Sequence, residues 1–117
     1  MAIALEKSYY PLDWDLEKQF LHLKMIRRRT NETGAGLRIQ VLQNKEPITP
    51  DTEILRLRYK TTAGVYEKID ATVSETFFLV ELDALLAGRT EDIEVDLELE
   101  VNGIMIGSPT FGIQIKD

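Results

Sequence analysis

The stretch Ile93-Glu-Val-Asp-Leu-Glu-Leu-Glu-Val-Asn-Gly-Ile-Met-Ile106 decides the fold. Ile93, Val95, Leu97, Leu99 and Val101 alternate with Glu94, Asp96, Glu98 and Glu100, which is the period of a strand with one apolar and one acidic face. Asn102-Gly103 follows at once, and both central residues of a type I′ turn need positive φ, so the pair predicts a tight hairpin. Val101 should then face Ile104, and Leu99 should face Ile106. Beyond the hairpin the parity changes, because Ile104 and Ile106 are even whereas Phe111, Ile113 and Ile115 are odd. A one-residue shift must fall at Gly107-Ser108-Pro109, where Gly tolerates unusual backbone angles and Pro cannot donate to a central ladder, so a bulge or bend is expected there.

The same grammar extends towards the N-terminus. Phe20 to Ile26 places Leu21, Leu23 and Met25 on one face, and Leu37, Ile39 and Val41 alternate with Arg38 and Gln40. The turn-rich Asn31 to Gly36 between them reads as a hairpin loop. Asn44 to Thr52, with Pro47 and Pro50, is an irregular connection before the strand Leu55, Leu57, Tyr59, whose other face carries Arg56, Arg58 and Lys60. Thr61 to Gly64 turns the chain into Val65 to Asp70, and residues 76–82 form another strand. Asp83 to Gly88 suits one or two helical turns ended by glycine. About seven short strands separated by turn signals predict an all-β, immunoglobulin-like antiparallel β-sandwich with one short helical turn, occupying residues 17–117. Residues 1–16 do not follow this pattern and are expected to be an N-terminal arm or an edge strand.

Composition narrows the function classes. The 117 residues fit one domain, and 44% hydrophobic with 29% charged residues is ordinary for a globular protein with a real core. There is no Cys, which excludes disulfides, Cys-ligated metals and thiol nucleophiles, and the single His22 cannot supply a multi-histidine site. Neither a membrane helix nor an export signal is expected, since no apolar run nears about 20 residues and Met1 to Lys7 lacks a basic start. Net charge is −6, which opposes binding to nucleic acid or anionic membrane. That total conceals a split: residues 1–60 carry 11 Lys/Arg against 8 Asp/Glu, whereas residues 61–117 carry 3 against 12. Pairing of the two halves inside one fold is favoured, because opposite charges across strands are ordinary sheet chemistry; a meeting between copies, or with a partner, is the alternative.

No set of residues converges on a reaction. Residues i and i+2 of a strand lie about 6.6–6.8 Å apart with parallel side chains, so Asp92, Glu94, Asp96, Glu98 and Glu100 read as a solvated face partly paired with Arg56, Arg58 and Lys60. His22 reads as a surface or interface residue, and Gly34-Ala35-Gly36 lacks the lysine and helix of a phosphate loop. Arg27-Arg28-Arg29, the only basic cluster, reads as a solvated turn or a protein-contact patch. Trp14 with Tyr9, Tyr10, Tyr59 and Tyr66 reads as core and interface material, with a sugar-stacking platform as the alternative. No catalytic, cofactor-binding or metal-ligating residue is assigned.

Residues 18–117 resemble the N-terminal immunoglobulin-like domain of baseplate upper proteins from phages of Gram-positive bacteria. The resemblance rests on an ordered pattern: the early strand Gln19 to Ile26, a Gly-bearing strand pair, Phe77-Phe78-Leu79-Val80-Glu81-Leu82-Asp83, a helical turn to Gly88, the strand Asp92 to Val101, Asn102-Gly103, and Gly107-Ser108-Pro109-Thr110-Phe111-Gly112-Ile113-Gln114-Ile115. In that family the domain is a structural adaptor attached to the central baseplate, followed by a trimerising C-terminal region that carries or binds the receptor-binding protein. This sequence stops at Asp117, so that region is not carried over. The resemblance implies a non-catalytic virion module, made in the bacterial host cytoplasm, whose partners are other baseplate and tail proteins, with a homo-oligomer also compatible. Tyr9, Tyr10, Trp14, Arg27, Arg28 and Arg29 are the expected contact residues. A carbohydrate-binding module for cell-wall saccharide, using the same aromatics, is the alternative.

Overall fold

The computed structural model describes residues 8–17, 20–22, 26–29, 31 and 33–116. In chain order the first strands are β1 (Ser8–Asp15), β2 (Phe20–His22), β3 (Ile26–Arg29), β4 (Ala35–Gln43), β5 (Glu46–Pro47) and β6 (Ile54–Lys60). There follow β7 (Tyr66–Asp70), β8 (Thr72–Ser74), β9 (Phe77–Glu81), the helical turn α1 (Asp83–Leu86), β10 (Ile93–Val101), β11 (Ile104–Gly107) and β12 (Phe111–Lys116). One sheet runs β2-β1-β4-β9-β8 with β5 also on β4; the other runs β3-β12-β10-β6-β7 with β11 also on β10. The chain is therefore a β-sandwich, and alternate residues of both sheets meet in one core that includes Leu37, Ile39, Phe78, Val80, Leu55, Leu57, Leu97 and Leu99.

The layout follows the immunoglobulin order. Strands β4, β6, β7, β8, β9, β10 and β12 stand in chain order and sheet position as B, C, C′, D, E, F and G. Two features depart from the purely antiparallel expectation. Strand β1 runs parallel to β4, from Ser8↔Ala35 to Asp15↔Leu42, and β3 runs parallel to β12, from Ile113↔Ile26 to Lys116↔Arg29. Both follow from one crossing: the chain leaves β1, makes the short antiparallel partner β2, and visits the opposite sheet as β3 before returning as β4. Twelve strand segments result among the described residues, more than the seven or so expected, because Phe20 to Ile26 is divided between sheets and β5 and β8 are too short to show a period. Residues 23–25, central to the expected early strand, lie outside the described residues.

The Asn31–Gly36 stretch is likewise not a hairpin loop, since it joins strands of different sheets. It clasps α1 instead. The Asn31 N–H donates to the Leu86 carbonyl at 3.1 Å, the Gly88 N–H to Asn31 Oδ1 at 2.7 Å, and the Gly34 N–H to Asp83 Oδ1 at 3.0 Å. Leu85 and Leu86 are thereby buried at one end of the sandwich.

The β10–β11 hairpin matches its reading. Asn102 and Gly103 have φ of 50° and 79°, and Val101↔Ile104 and Leu99↔Ile106 are opposed. From Glu98↔Gly107 to Val95↔Phe111 the chain advances four residues against three on β10, so one residue is extra. Ser108 absorbs it: its N–H donates to the Leu97 carbonyl at 2.9 Å, and the Leu97 N–H donates to Ser108 Oγ at 2.9 Å.

Candidate functional site

The expected contact residues fall on two different sheets. Strand β1 alternates its faces, so Tyr10, Leu12 and Trp14 point inward, Tyr10 half-buried against the core, while Tyr9 is half-buried on the other face. Trp14 is completely inaccessible, opposite Val41, and its indole N–H has no hydrogen-bond partner among the described residues. This corrects the reading of Trp14 as an exposed contact residue: the indole is core. Tyr9 lies across Gly36, where a side chain would collide with its ring, and its hydroxyl donates to Glu81 Oε1 at 2.7 Å. Of the segment expected as an arm or an edge strand, residues 8–15 form a strand built into a sheet between β2 and β4.

Arg27, Arg28 and Arg29 do not form a turn. They belong to β3, which among the described residues ends the second sheet on the side away from β7, because Ile26 is buried and anchors the segment against Ile113. Arg27 and Arg29 are exposed and Arg28 is half-buried, opposite Gln114, Lys116 and Ile115 respectively. The result is a basic sheet edge. The side chain of His22 lies outside the described residues.

The acidic face of β10 is paired only in part. Arg58 grips Asp96 through Nη2 and Nε at 2.6 and 3.0 Å, and Lys68 reaches Glu98 at 2.8 Å. The Asp96 hydrogen bond, then its charge, holds the Arg58 guanidinium above its ordinary pKa. Arg56, although opposite Glu98, pairs with Asp70 at 3.1 Å, and Lys60 stands 5.7 Å from the Tyr66 ring centre. Glu94 and Glu100 make no ion pair among the described residues, being opposite Gly112 and, on its two sides, Ile54 and Met105.

An open depression of about 550 Å³ lies beside Lys60, Tyr66, Arg89, Asp92 and Glu94. Two of its charges have structural duties: Asp92 Oδ1 accepts the Ile115 N–H at 3.0 Å, and Arg89 donates to the Lys60 carbonyl at 2.6 Å. Nor is an aromatic platform assembled from the named rings, since Trp14 is inaccessible and Tyr59 only 7% exposed. Sequence reading missed an apolar edge. On β11, Ile104 and Met105 are 66% and 47% exposed. The signal was the missing alternation in Ile104-Met105-Ile106, where no residue is polar.

No family model matches the chain, and neither does any of the curated proteins. A solved phage domain shares its fold. That structure, titled "N-terminal domain of phage TP901-1 ORF48", superposes with a TM-score of 0.63 over 94% of this chain and 99% of its own. Identity is 11%, so the likeness is one of architecture.

Proposed function

We propose that the chain is a non-catalytic structural module of a phage tail baseplate, mediating protein–protein assembly of the host-recognition apparatus. The observation that carries this reading is the fold correspondence with a phage domain over nearly the whole of both chains. It coincides with the baseplate resemblance of residues 18–117. Carboxylates spread along a strand and tied into structural pairs fit an adaptor better than an enzyme. Contact is assigned to the basic edge Arg27–Arg29 on one sheet and, separately, to the outer-face Tyr9 on the other, whereas Tyr10 packs against the core.

The test is a pull-down with the tagged chain from a phage-infected Gram-positive lysate, with purified cell wall as a parallel bait. Recovery of tail proteins, reduced by Arg27→Glu with Arg29→Glu, supports the reading. Retention on cell wall without tail proteins would overturn it in favour of saccharide binding.

A further inference from the structure

The second sheet ends in a step on one side. Along β10, the half from Glu98 to Val101 is covered by β11 alone, whereas the half from Ile93 to Val95 is covered by β12 and then by β3. Among the described residues β11 has no strand beyond it, and β3 is terminal. The two exposed edges therefore face the same way, with β3 one strand further out.

Their chemistry differs. In a two-residue hairpin the residues flanking the turn exchange both backbone bonds, so Val101↔Ile104 and Leu99↔Ile106 are the bonded pairs. The N–H and C=O groups of Met105 and Gly107 then point away from β10, along a strand that is exposed and uncharged. The β3 edge is Ile26-Arg27-Arg28-Arg29, with Arg27 and Arg29 on the outer face. The outer face beside β11 carries Glu98 and Glu100, the second without any ion pair among the described residues.

We propose that a second copy of this chain occupies this edge, in a two-fold dimer in which β11 of each copy pairs antiparallel with β3 of the other. Rotation by half a turn about an axis normal to the sheet turns one step into the complement of the other: β11 meets the partner's β3 on one half, and the reverse holds on the other half. Polarity agrees, because β3 and β11 both run opposite to β10 within one copy, so the rotation sets them antiparallel. Directly opposed residues of antiparallel strands share a face, which puts Arg27 and Arg29 with Met105 and Gly107 on the outer side. Gly107 has no side chain, leaving an arginine a path towards Glu98 and Glu100 one strand beyond. The contact is isologous and closes at two copies. Two strips of about four residues are small for an interface, so micromolar rather than nanomolar association is expected.

The dimer and the proposed tail-protein contact draw on the same basic edge, so the test uses the purified chain alone, where only self-association can occur. Sedimentation velocity of the 117-residue protein from about 1 to 500 µM should show a monomer–dimer equilibrium weakened at least tenfold by 0.5 M NaCl, through screening of the arginine–carboxylate pairs. Met105→Pro, which removes an outward N–H from an edge position that tolerates proline, should leave only monomer. Arg27→Glu, a surface change that leaves β3 in place, should weaken the dimer at least tenfold. Circular dichroism melts establish that both variants are folded. A monomer throughout the range overturns the proposal. So does a dimer indifferent to Met105→Pro, or one lost in Met105→Pro but indifferent to both Arg27→Glu and salt, which would mean β11 pairing with something other than β3.

Discussion

Gly36 shows how one absent side chain seats a strand. It lies in β4 beneath Tyr9, and an added Cβ would stand 2.5 Å from Tyr9 Cε1 and 2.7 Å from the Val80 carbonyl oxygen. The ring could swing aside, but only by giving up its hydrogen bond to Glu81; the carbonyl belongs to β9 and cannot move without shifting the ladder. Gly36→Ala should therefore destabilise the protein by about 1–3 kcal/mol, as overpacking does. Gly112 is the internal control: its nearest neighbour is the Ile93 carbonyl at 3.9 Å, so Gly112→Ala should fall within about 0.5 kcal/mol of wild type or gain slightly from the stiffer unfolded chain. Urea midpoints of the three proteins check both statements. Neither effect is legible in the sequence, where both glycines simply occupy the non-apolar positions of an alternation; which of them lies beneath a ring depends on a contact between β1 and β4.

At the scale of elements, the β6–β7 pair couples pH to stability. Tyr59 on β6 is buried, and its hydroxyl donates to Glu67 Oε2 at 3.1 Å across the Tyr59↔Glu67 register. Burial first, and then the bond to Glu67, raise the phenol pKa. Since the folded value lies above the unfolded one, the resulting stability is fully present below about pH 10 and is lost as pH climbs through the folded pKa. Tyr59→Phe should lose less stability than wild type between about pH 8 and pH 11, as urea midpoints at the two values will show. The sequence made Tyr59 apolar by parity, and correctly so. It could not supply Glu67, because the partner depends on the turn at Thr61–Gly64, closed by the Gly64 N–H to Thr61 carbonyl bond at 2.9 Å. The same limit governed the acidic strand: its partnership with basic β6 was readable, but Arg56 chose Asp70 of β7 over Glu98.

For the molecule as a whole, the main consequence is that β1 is structural. Leu12 and Trp14 are buried, and β4 has β1 along its length on one side. Burying a large aromatic and a leucine contributes several kcal/mol, of the order of an entire domain's net stability. A chain beginning at Glu17 should accordingly lose cooperative unfolding. Near-ultraviolet circular dichroism and a thermal melt will show it, with the full-length chain giving a sharp transition and a blue-shifted Trp14 emission that iodide quenches poorly.

What the sequence determined by itself was local: alternation with period two fixed which face of each strand is apolar, and residues that need or tolerate positive φ fixed the tight turns at Asn102-Gly103 and Gly64. The count of strands in each sheet, the two parallel pairs, the burial of Trp14 and the change of Arg27–Arg29 from turn to sheet edge were decided only in three dimensions. The reason is physical: a side chain's period reports the faces of its own strand, whereas the partner strand and its direction depend on where the chain crosses between sheets, and here Phe20 to Ile26 keeps the period of a single strand although its two ends belong to different sheets.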